Sequence, residues 1–167
     1  MSSQITKEIR ASATEFYEGN QMCQEKAKFL LKEMCLPNGL LPIKDMEECG
    51  YVEPTGFVWL KSKKKTDHKF EQIGRSVQYS TEVTATIEPG KIKNLKGVKA
   101  KELMLWLTIH EICIDDPPTG KIHFKSTTGL SRTFPVSAFE VEEKEEEEKK
   151  EKPASDEVNA TLAVKEV

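Results

Sequence analysis

Side chains suited to nucleophilic chemistry are few in this chain of 167 residues. Gly129-Leu130-Ser131 resembles the start of the nucleophile elbow of serine hydrolases, which places a second glycine two residues after the serine. Thr133 occupies that position instead, and an elbow also needs a strand-to-helix turn in an α/β sheet. Ser131 is therefore the candidate catalytic residue if the protein is an esterase. The alternative is that Ser131 begins a strand after a turn at Thr128-Gly129.

The imidazole and carboxylate groups that could assist such a serine show no selective spacing. The possible general bases are the three histidines, His68, His110 and His123. Either Asp115 or Asp116 could orient one of them, but no spacing selects a catalytic triad. His110 and Cys113 could share one face of a helix, yet no further metal-ligating side chains cluster near them. We therefore expect neither a metal site nor another cofactor.

The cysteines and the first residues indicate a reducing compartment. Cys23 and Cys35 lie on one predicted helix with their Cα atoms about 18 Å apart, whereas a disulfide requires about 7 Å or less. The first ten residues lack the basic start and apolar run of a secretory signal. No segment approaches the roughly 18 apolar residues of a membrane-spanning helix. We expect a cytoplasmic protein with four free and mostly buried thiols.

Charge divides the chain into a basic body and an acidic tail. The whole chain carries a net charge of −3, while residues 140–167 contain ten Glu and one Asp against five Lys, a net of −6. Residues 1–139 therefore carry +3. Because the tail has little apolar surface to offset the entropy of ordering it, we expect it to be disordered. The prediction is one globular domain over residues 1–139.

Two helices are predicted before the first strand. The first follows an apolar stripe that consists of Ile5, Ile9, Ala13, Phe16 and Tyr17. Gly19 and Asn20 then interrupt the pattern and suit a helix end followed by a helix start. The second helix runs from about Gln21 to Cys35, with a stripe that consists of Cys23, Ala27, Leu30, Leu31 and Met34. We therefore expect a helical hairpin over about residues 3–35.

From Cys49 onward the apolar period changes from 3.6 to 2, which predicts strands. The clearest alternation is over residues 77–87, followed by a Pro89-Gly90 turn. Further strand candidates are residues 50–52, 57–62, 70–73, 91–95, 103–114, 121–125 and 131–134. So many short strands without helices between them favour an antiparallel β-barrel or sandwich. The predicted fold class is α+β, mainly β, with the β-core over about residues 49–139.

Lysine clusters in two places, around residues 61–69 and 91–101. The first cluster is predicted to surround a hairpin loop. Exposed lysines commonly serve solubility and block edge pairing. The alternative is peripheral contact with an anionic membrane, for which the candidate residues are Lys63, Lys64, Lys65, Lys91 and Lys93. Nucleic acid is a disfavoured partner, because the chain has 22 Lys but three Arg, and no stacking aromatics lie between the lysines.

Four short motifs occur in order along the body. They are Leu36-Pro37-Asn38-Gly39-Leu40-Leu41-Pro42, Thr55-Gly56-Phe57-Val58-Trp59-Leu60, Gly97-Val98-Lys99-Ala100-Lys101-Glu102-Leu103 and Phe134-Pro135-Val136-Ser137-Ala138-Phe139. Their order and spacing resemble the plant domain-of-unknown-function family 538 over nearly all of residues 5–139. The resemblance implies a plant source and an all-β core with N-terminal helices. Members of that family have been compared with lipid-binding bactericidal/permeability-increasing proteins, and a chlorophyll-hydrolysing activity has been proposed for them. Many begin with a signal peptide, which this sequence does not show.

The motif residues allow two interpretations. In the first, Gly39 and Gly56 are turn glycines with positive φ, and Trp59 and Trp106 are core aromatics. In the second, an apolar pocket is lined by the candidate ligand-binding residues Leu40, Leu41, Trp59 and Trp106. We predict a monomeric binding module for an apolar or amphiphilic small molecule. The alternatives are an esterase acting on chlorophyll or lipid esters, and a protein-interaction scaffold without a small ligand.

Overall fold

The computed structural model describes residues 4–141. Its helices are α1 (Lys7–Ala11) and α2 (Asn20–Glu33), and a 3₁₀ helix over Val136–Phe139, the C-terminal turn, follows the last strand. The strands are β1 (Glu15–Glu18), β2 (Met46–Val52), β3 (Phe57–Ser62), β4 (Thr66–Phe70), β5 (Arg75–Glu88), β6 (Lys91–Glu102), β7 (Leu105–Ile114), β8 (Lys121–Ser126) and β9 (Ser131–Pro135). The mainly-β prediction is therefore confirmed. The predicted tail lies, apart from its first two residues, outside the described residues.

The nine strands form one antiparallel sheet in the order β1-β2-β3-β5-β6-β7-β8-β9, with β4 also paired to β5. Within residues 4–141, β1 pairs with β2 alone and β9 with β8 alone, so the sheet has two edges and does not close. The prediction of a closed barrel or a two-sheet sandwich is therefore wrong in its detail. The physical reason is that α2 packs across one face of the sheet, so that face needs no second layer of strands.

The sheet curls around this covered face, which we call the inner face. Phe70 on β4 and Phe134 on β9 are separated by five strand spacings, which would be about 24 Å in a flat sheet. Both rings nevertheless contact Phe139, with centroids 4.8 and 6.2 Å from the Phe139 centroid. Because Phe139 belongs to the C-terminal turn, the end of the described chain fills the inner face between the two sides of the curled sheet.

β3 and β4 are two parts of one interrupted strand. β3 pairs with the second half of β5 and β4 with the first half, and both pairings are antiparallel. Residues 63–65 therefore bulge outward between two segments that run in the same direction. The prediction that this lysine cluster surrounds a hairpin loop is wrong, because the break in alternation reflects a bulge and not a reversal of the chain.

The N-terminal segment contains one short helix and a strand where a helical hairpin was expected. α1 covers five residues, and the chain then forms β1, which places Phe16 opposite Gly50 and Tyr17 opposite Cys49. Phe and Tyr favour strands, and the open edge of β2 supplies the backbone hydrogen bonds that further helical turns would have made. The second predicted helix is confirmed as α2.

β5 follows the predicted alternation except at Thr81 and at Thr84, which is buried on the other face. Its buried inner-face residues are Val77, Tyr79, Val83, Ala85 and Ile87. Thr81, however, is exposed, and the pairing of β5 with β6 shifts register next to it. Gly97 is required there because an added Cβ would lie 2.4 Å from the Glu82 carbonyl oxygen. Such irregular pairing is one way in which a sheet bends.

The two motif glycines have different roles. Gly56 has a φ of 80°, which confirms its prediction as a turn glycine. For Gly39 the prediction of positive φ is wrong, since its backbone stays outside the left-handed region. Gly39 instead allows a close approach, because an added Cβ would lie 2.5 Å from the Phe139 carbonyl oxygen. The Gly39 N–H donates to that oxygen at 2.7 Å, which joins the segment after α2 to the C-terminal turn.

Candidate functional site

α2 is fixed to the sheet at both of its ends. At its start, the Asn20 side-chain oxygen accepts a hydrogen bond from the Met46 N–H at 3.0 Å. At its end, the Gly90 N–H in the turn between β5 and β6 donates to the Met34 carbonyl at 2.7 Å. The helix therefore bridges the inner face between two anchors, and the space beneath its middle forms the candidate site.

An apolar cleft of about 230 Å³ lies between α2 and the inner face of the sheet. Its helix wall consists of Ala27, Leu30, Leu31 and Met34, with Phe29 at the rim. Its sheet wall includes Val58, Leu60, Val83, Ala85, Ile87 and Leu95. Ala27 lies at the middle of the helix, so the smallest side chain of the helix wall lies between the two anchors. The cleft is therefore space that a larger residue at this position would fill.

The mouth of the cleft has more acidic than basic groups. Glu15, Glu33 and Glu53 line it together with Lys26. The Lys26 ammonium lies over the Tyr17 ring, 5.0 Å from the ring centroid. The Tyr17 hydroxyl donates to a Glu15 oxygen at 2.9 Å, and this hydrogen bond is the main cause that raises the pKa of Tyr17. The polar rim therefore favours a neutral or cationic group over an anion.

Two thiols lie where α2 meets β2. Burial raises the pKa of both Cys23 and Cys49, which keeps them protonated at neutral pH. A neutral buried thiol behaves as a small apolar group, so Cys49 extends the apolar wall of the cleft. All four cysteines lie within the described residues and are free, as predicted, although Cys35 is exposed.

Of the predicted ligand-binding residues, Leu41 lines this cleft and Leu40 does not. Leu40 is buried, and its carbonyl accepts a hydrogen bond from the Tyr79 hydroxyl at 2.9 Å. Burial raises the pKa of Tyr79, so this hydroxyl remains a donor. Leu40 therefore holds the segment after α2 against β5 and places the neighbouring Leu41 at the cleft.

Trp59 lies on the opposite face of the sheet, which we call the outer face. It is 0% exposed and packs with Ile5 and Val52 in a separate small cluster. Its indole N–H donates to Glu48 at 3.0 Å, and Arg10 of α1 forms an ion pair with the same carboxylate. The interpretation of Trp59 as a core aromatic is confirmed, and its face separates it from the cleft.

Trp106 and the candidate lysines lie elsewhere on the surface. Trp106 is 42% exposed, so its interpretation as a core aromatic is wrong. Residues 63–65 lie beside the middle of β5, and Lys64 is 3.9 Å from Asp45. Lys91 pairs with Glu88 at the far end of β5, and the Lys93 ammonium is 3.1 Å from the Glu88 carboxylate. The structure therefore does not bring the two lysine groups into one patch.

A hydroxyl other than that of Ser131 meets a histidine. Ser131 begins β9 opposite Lys125, as its alternative interpretation predicted. Thr133, two residues later, has its Oγ1 2.8 Å from Nδ1 of His123. Nε2 of the same ring is 2.7 Å from an Asp115 oxygen. The sequence signal for this group is the β8–β9 register, which pairs His123 with Thr133, and it emerges only once the strand ends are known.

Hydrogen bonds link Asp115 to Thr119 and to His123, and His123 to Thr133. Thr119 donates to the Asp115 carboxylate, and this bond, followed by the one from His123, lowers the pKa of Asp115. An ionised carboxylate can only accept hydrogen bonds. The His123 tautomer that carries its proton on Nε2 suits both contacts, since Nε2 then donates to Asp115 and Nδ1 accepts from the Thr133 hydroxyl. The order hydroxyl, imidazole and carboxylate is that of a hydrolytic triad, with the roles of the two ring nitrogens exchanged.

The described residues contain neither a metal-binding cluster nor a membrane-spanning helix. Among residues 4–141, no three His, Cys, Asp or Glu side chains are placed to hold a metal ion together. The helices in the described part of the chain are too short or too polar to cross a membrane. The expectation that the protein uses no cofactor stays a prediction.

Most of the chain matches one known protein family. Residues 27–140 match the family described as "Protein of unknown function, DUF538". The chain belongs to the DUF538 family. This confirms the resemblance drawn from the four motifs, which all lie within the matched residues. The DUF538 match begins inside α2, so it includes most of the apolar cleft walls, whereas Glu15, Tyr17 and Lys26 at the mouth precede it.

A plant protein is also similar to this DUF538 chain. An uncharacterized protein of Arabidopsis thaliana, At5g01610, is 30% identical over 115 residues, which are 68% of this chain and 62% of the relative. The similar part thus spans less than two thirds of that relative's length. No solved structure matches the chain significantly.

Proposed function

We propose that this DUF538 protein binds a small apolar or weakly amphiphilic molecule in the cleft beneath α2. The observation that carries the proposal is the open, apolar space between a helix anchored at both ends and the inner face of the sheet. Ligand sites are concave and mostly apolar, with a few polar groups that orient the ligand. The cleft and its rim of Glu15, Glu33, Glu53 and Lys26 have this composition.

The size of the cleft limits the ligand. An apolar cavity of about 150 Å³ in another protein binds benzene, and drug-sized ligands occupy about 300–1,000 Å³. The cleft, at about 230 Å³, lies between these values. It suits a small aromatic molecule or a short aliphatic chain, and a whole chlorophyll or diacyl lipid would extend far outside it.

The charge of the mouth limits the polar end of the ligand. Three carboxylates and one ammonium line the rim, and the ammonium already lies over the Tyr17 ring. A carboxylate or sulfonate leaving the cleft would meet like charge, which opposes binding. A neutral hydroxyl or amine would instead find hydrogen-bond acceptors.

The test compares two dyes that share one ring system. N-phenyl-1-naphthylamine is neutral, and 8-anilino-1-naphthalenesulfonate carries an added sulfonate. We expect the full chain to bind the neutral dye with enhanced fluorescence and to bind the sulfonate at least tenfold more weakly. Ala27→Phe should fill the cleft and reduce binding of the neutral dye at least tenfold. Ala11→Phe makes the same change at an exposed position of α1, outside the cleft, and should leave binding unchanged.

Two results would count against the cleft. Unchanged dye binding by a folded Ala27→Phe variant would place the dye elsewhere. Absence of binding by the unmodified chain for both dyes and for small ring compounds that compete with them would support the scaffold without a small ligand. Circular dichroism of each variant shows whether the fold is retained.

Ester hydrolysis is a second candidate function, favoured by the contact of Thr133 with His123 and Asp115. In such a reaction the Thr133 oxygen attacks the ester carbonyl, and His123 takes the hydroxyl proton and passes it to the leaving alcohol. Water, activated by the same ring, then releases the acid and restores Thr133. The group lies on the outer face of β8 and β9, so the reaction would not use the cleft.

Nitrophenyl ester turnover distinguishes this candidate. If Thr133 is the nucleophile, Thr133→Val should abolish turnover, because loss of a nucleophile removes several orders of magnitude in rate. Ser131→Ala, two residues away on the same strand, should leave it unchanged. Turnover that survives Thr133→Val would exclude this group, and loss of turnover in Ser131→Ala alone would return the role to Ser131.

A further inference from the structure

We infer that the tip of the β6–β7 hairpin inserts into the surface of an anionic lipid bilayer. The residues of the tip are large and apolar, yet Leu103, Met104 and Leu105 are 83%, 86% and 66% exposed. Trp106 follows them at 42% exposed. Single exposed apolar residues are common, but four in succession on one projecting turn expose an apolar surface that favours transfer out of water.

The backbone of the tip indicates that apolar side chains are needed there. Leu103 has a φ of 58°, in the left-handed region that glycine and asparagine adopt most readily. A bulky residue in this conformation is strained. Glycine or asparagine would relieve that strain and remove exposed apolar surface, so the observed leucine is unfavourable for an isolated protein in water.

Two other turns lie at the same end of the sheet as the tip. The turns after β4, β6 and β8 all lie at this end, because successive strands are antiparallel. Leu130, in the turn between β8 and β9, is also exposed. The apolar tip therefore projects from an end of the sheet that has a further exposed apolar residue.

The residues at the base of the tip suit a bilayer interface. The Lys101 ammonium lies over the Trp106 ring, 5.9 Å from its centroid, and Lys99 is exposed two residues earlier on the same strand. Arg75 and Arg132 both pair with Glu102, which leaves one positive charge in that group. Tryptophan prefers the headgroup region, and lysine extends its ammonium toward anionic headgroups from there.

The shape of the tip favours a bilayer over a protein partner. A specific protein interface buries about 1,200–2,000 Å² over a broad complementary surface, whereas this apolar surface is a narrow turn. A fluid bilayer accepts such a projection without a matching groove. The tip lies at the end of β6 away from Ile92, which lines the cleft, so membrane contact and cleft binding are independent.

The two tryptophans allow a direct test on the full chain. Trp59 is fully buried, so a change of tryptophan emission on binding reports Trp106. With vesicles of phosphatidylcholine and 30% phosphatidylserine we expect the emission to shift to shorter wavelength, acrylamide quenching to fall, and the protein to sediment with the vesicles. Vesicles of phosphatidylcholine alone should bind at least fivefold more weakly.

Matched variants locate the contact. Leu103→Ser, Met104→Ser and Leu105→Ser in one chain should reduce binding at least tenfold. Because these side chains are exposed, the fold should be retained, which circular dichroism verifies. Met22→Ser removes a 44% exposed apolar residue on α2, outside the cleft, and should leave binding unchanged. Lys99→Glu with Lys101→Glu should remove the preference for phosphatidylserine. Unchanged binding by the triple variant, or no binding of the unmodified chain to either vesicle, would overturn the inference; the second result would leave a protein partner to be sought at the tip.

Discussion

The two faces of strands β2 and β3 are covered in different ways. On the outer face, Trp59 lies directly over Gly50, where an added Cβ would come within 2.2 Å of the indole ring. Its N–H donates to Glu48, and α1 covers it. On the inner face of the same strands, Val58 and Leu60 line a cleft that α2 covers without filling.

This difference shows that the cleft does not follow from poor packing of these strands. The outer face buries Trp59 completely, with a glycine that makes room for its ring. A similar solution on the inner face would need only a larger residue at Ala27, yet the helix has its smallest side chain there. We therefore propose a binding role for the inner face, whereas the outer face has a structural one.

The largest expected effect is the loss of the outer-face tryptophan. Trp59→Ala removes a fully buried ring, and such changes cost about 3–5 kcal/mol. Trp106→Ala makes the same chemical change at an exposed position and should cost less than about 1 kcal/mol. Urea unfolding followed by circular dichroism measures both. Similar losses for the two variants would contradict the assignment of Trp59 as the structural tryptophan.

A smaller effect is expected at the C-terminal boundary of the inner face. The Asn38 side chain accepts from the Val141 N–H at 2.9 Å and donates to the Val141 carbonyl at 3.1 Å. A chain ending at Phe139 should keep its fold but lose about 1 kcal/mol, the usual order for such bonds. A chain ending at Val141 should match the full sequence. If ending at Val141 also lowers the free energy of unfolding, the acidic segment contributes contacts of its own.

The smallest predicted effect is a pH dependence from His68, which lies edge-on to Phe70 with ring centroids 4.6 Å apart. Burial, and secondly Lys44, lower the pKa of His68, while Glu71 acts in the opposite direction. The unfolded chain therefore binds this proton more tightly than the folded one. The contribution of His68 to stability is fully present above its unfolded pKa of about 6.5 and is lost as the pH falls toward its lower folded pKa.

Urea unfolding at pH 7.5 and 5.5 measures this dependence. His68→Gln should lose less stability between the two pH values than the unmodified chain does. The carboxyl groups with lowered pKa values, on Glu102, Glu111 and Asp115, titrate at lower pH and affect both proteins equally. An equal loss in both proteins would show that His68 is not the source.

Local sequence patterns predicted the helices and strands whose conformation depends on their own side chains. The stripe that begins at Cys23 gave α2, and the alternation after Val77 gave β5, because each buries one face against the core. β1 was missed because Phe16 and Tyr17 fit a helical stripe equally well. Their strand conformation depends on pairing with the edge of β2, which would otherwise lack a partner strand. No local sequence pattern contains this information.

The site was harder to predict than the fold, because a cleft depends on space between elements. Leu41 was found from its motif, whereas Ala27 was predicted only as part of a helix stripe. Trp59 was interpreted first as a core aromatic, with a pocket as the alternative, since alternation along β3 does not say which face α2 will cover. The Thr133–His123 contact likewise required the register of two strands.

The central claim is that the inner-face cleft binds a neutral apolar molecule, and a methyl NMR titration tests it most directly. N-phenyl-1-naphthylamine should shift the methyl signals of Ala27, Leu30 and Val58, while the indole N–H of Trp59, behind the same strands, stays in place. The account predicts saturable shifts confined to the cleft residues. Shifts that centre on Trp59, or that leave the Ala27 and Leu30 methyl groups unmoved at saturation, would contradict it.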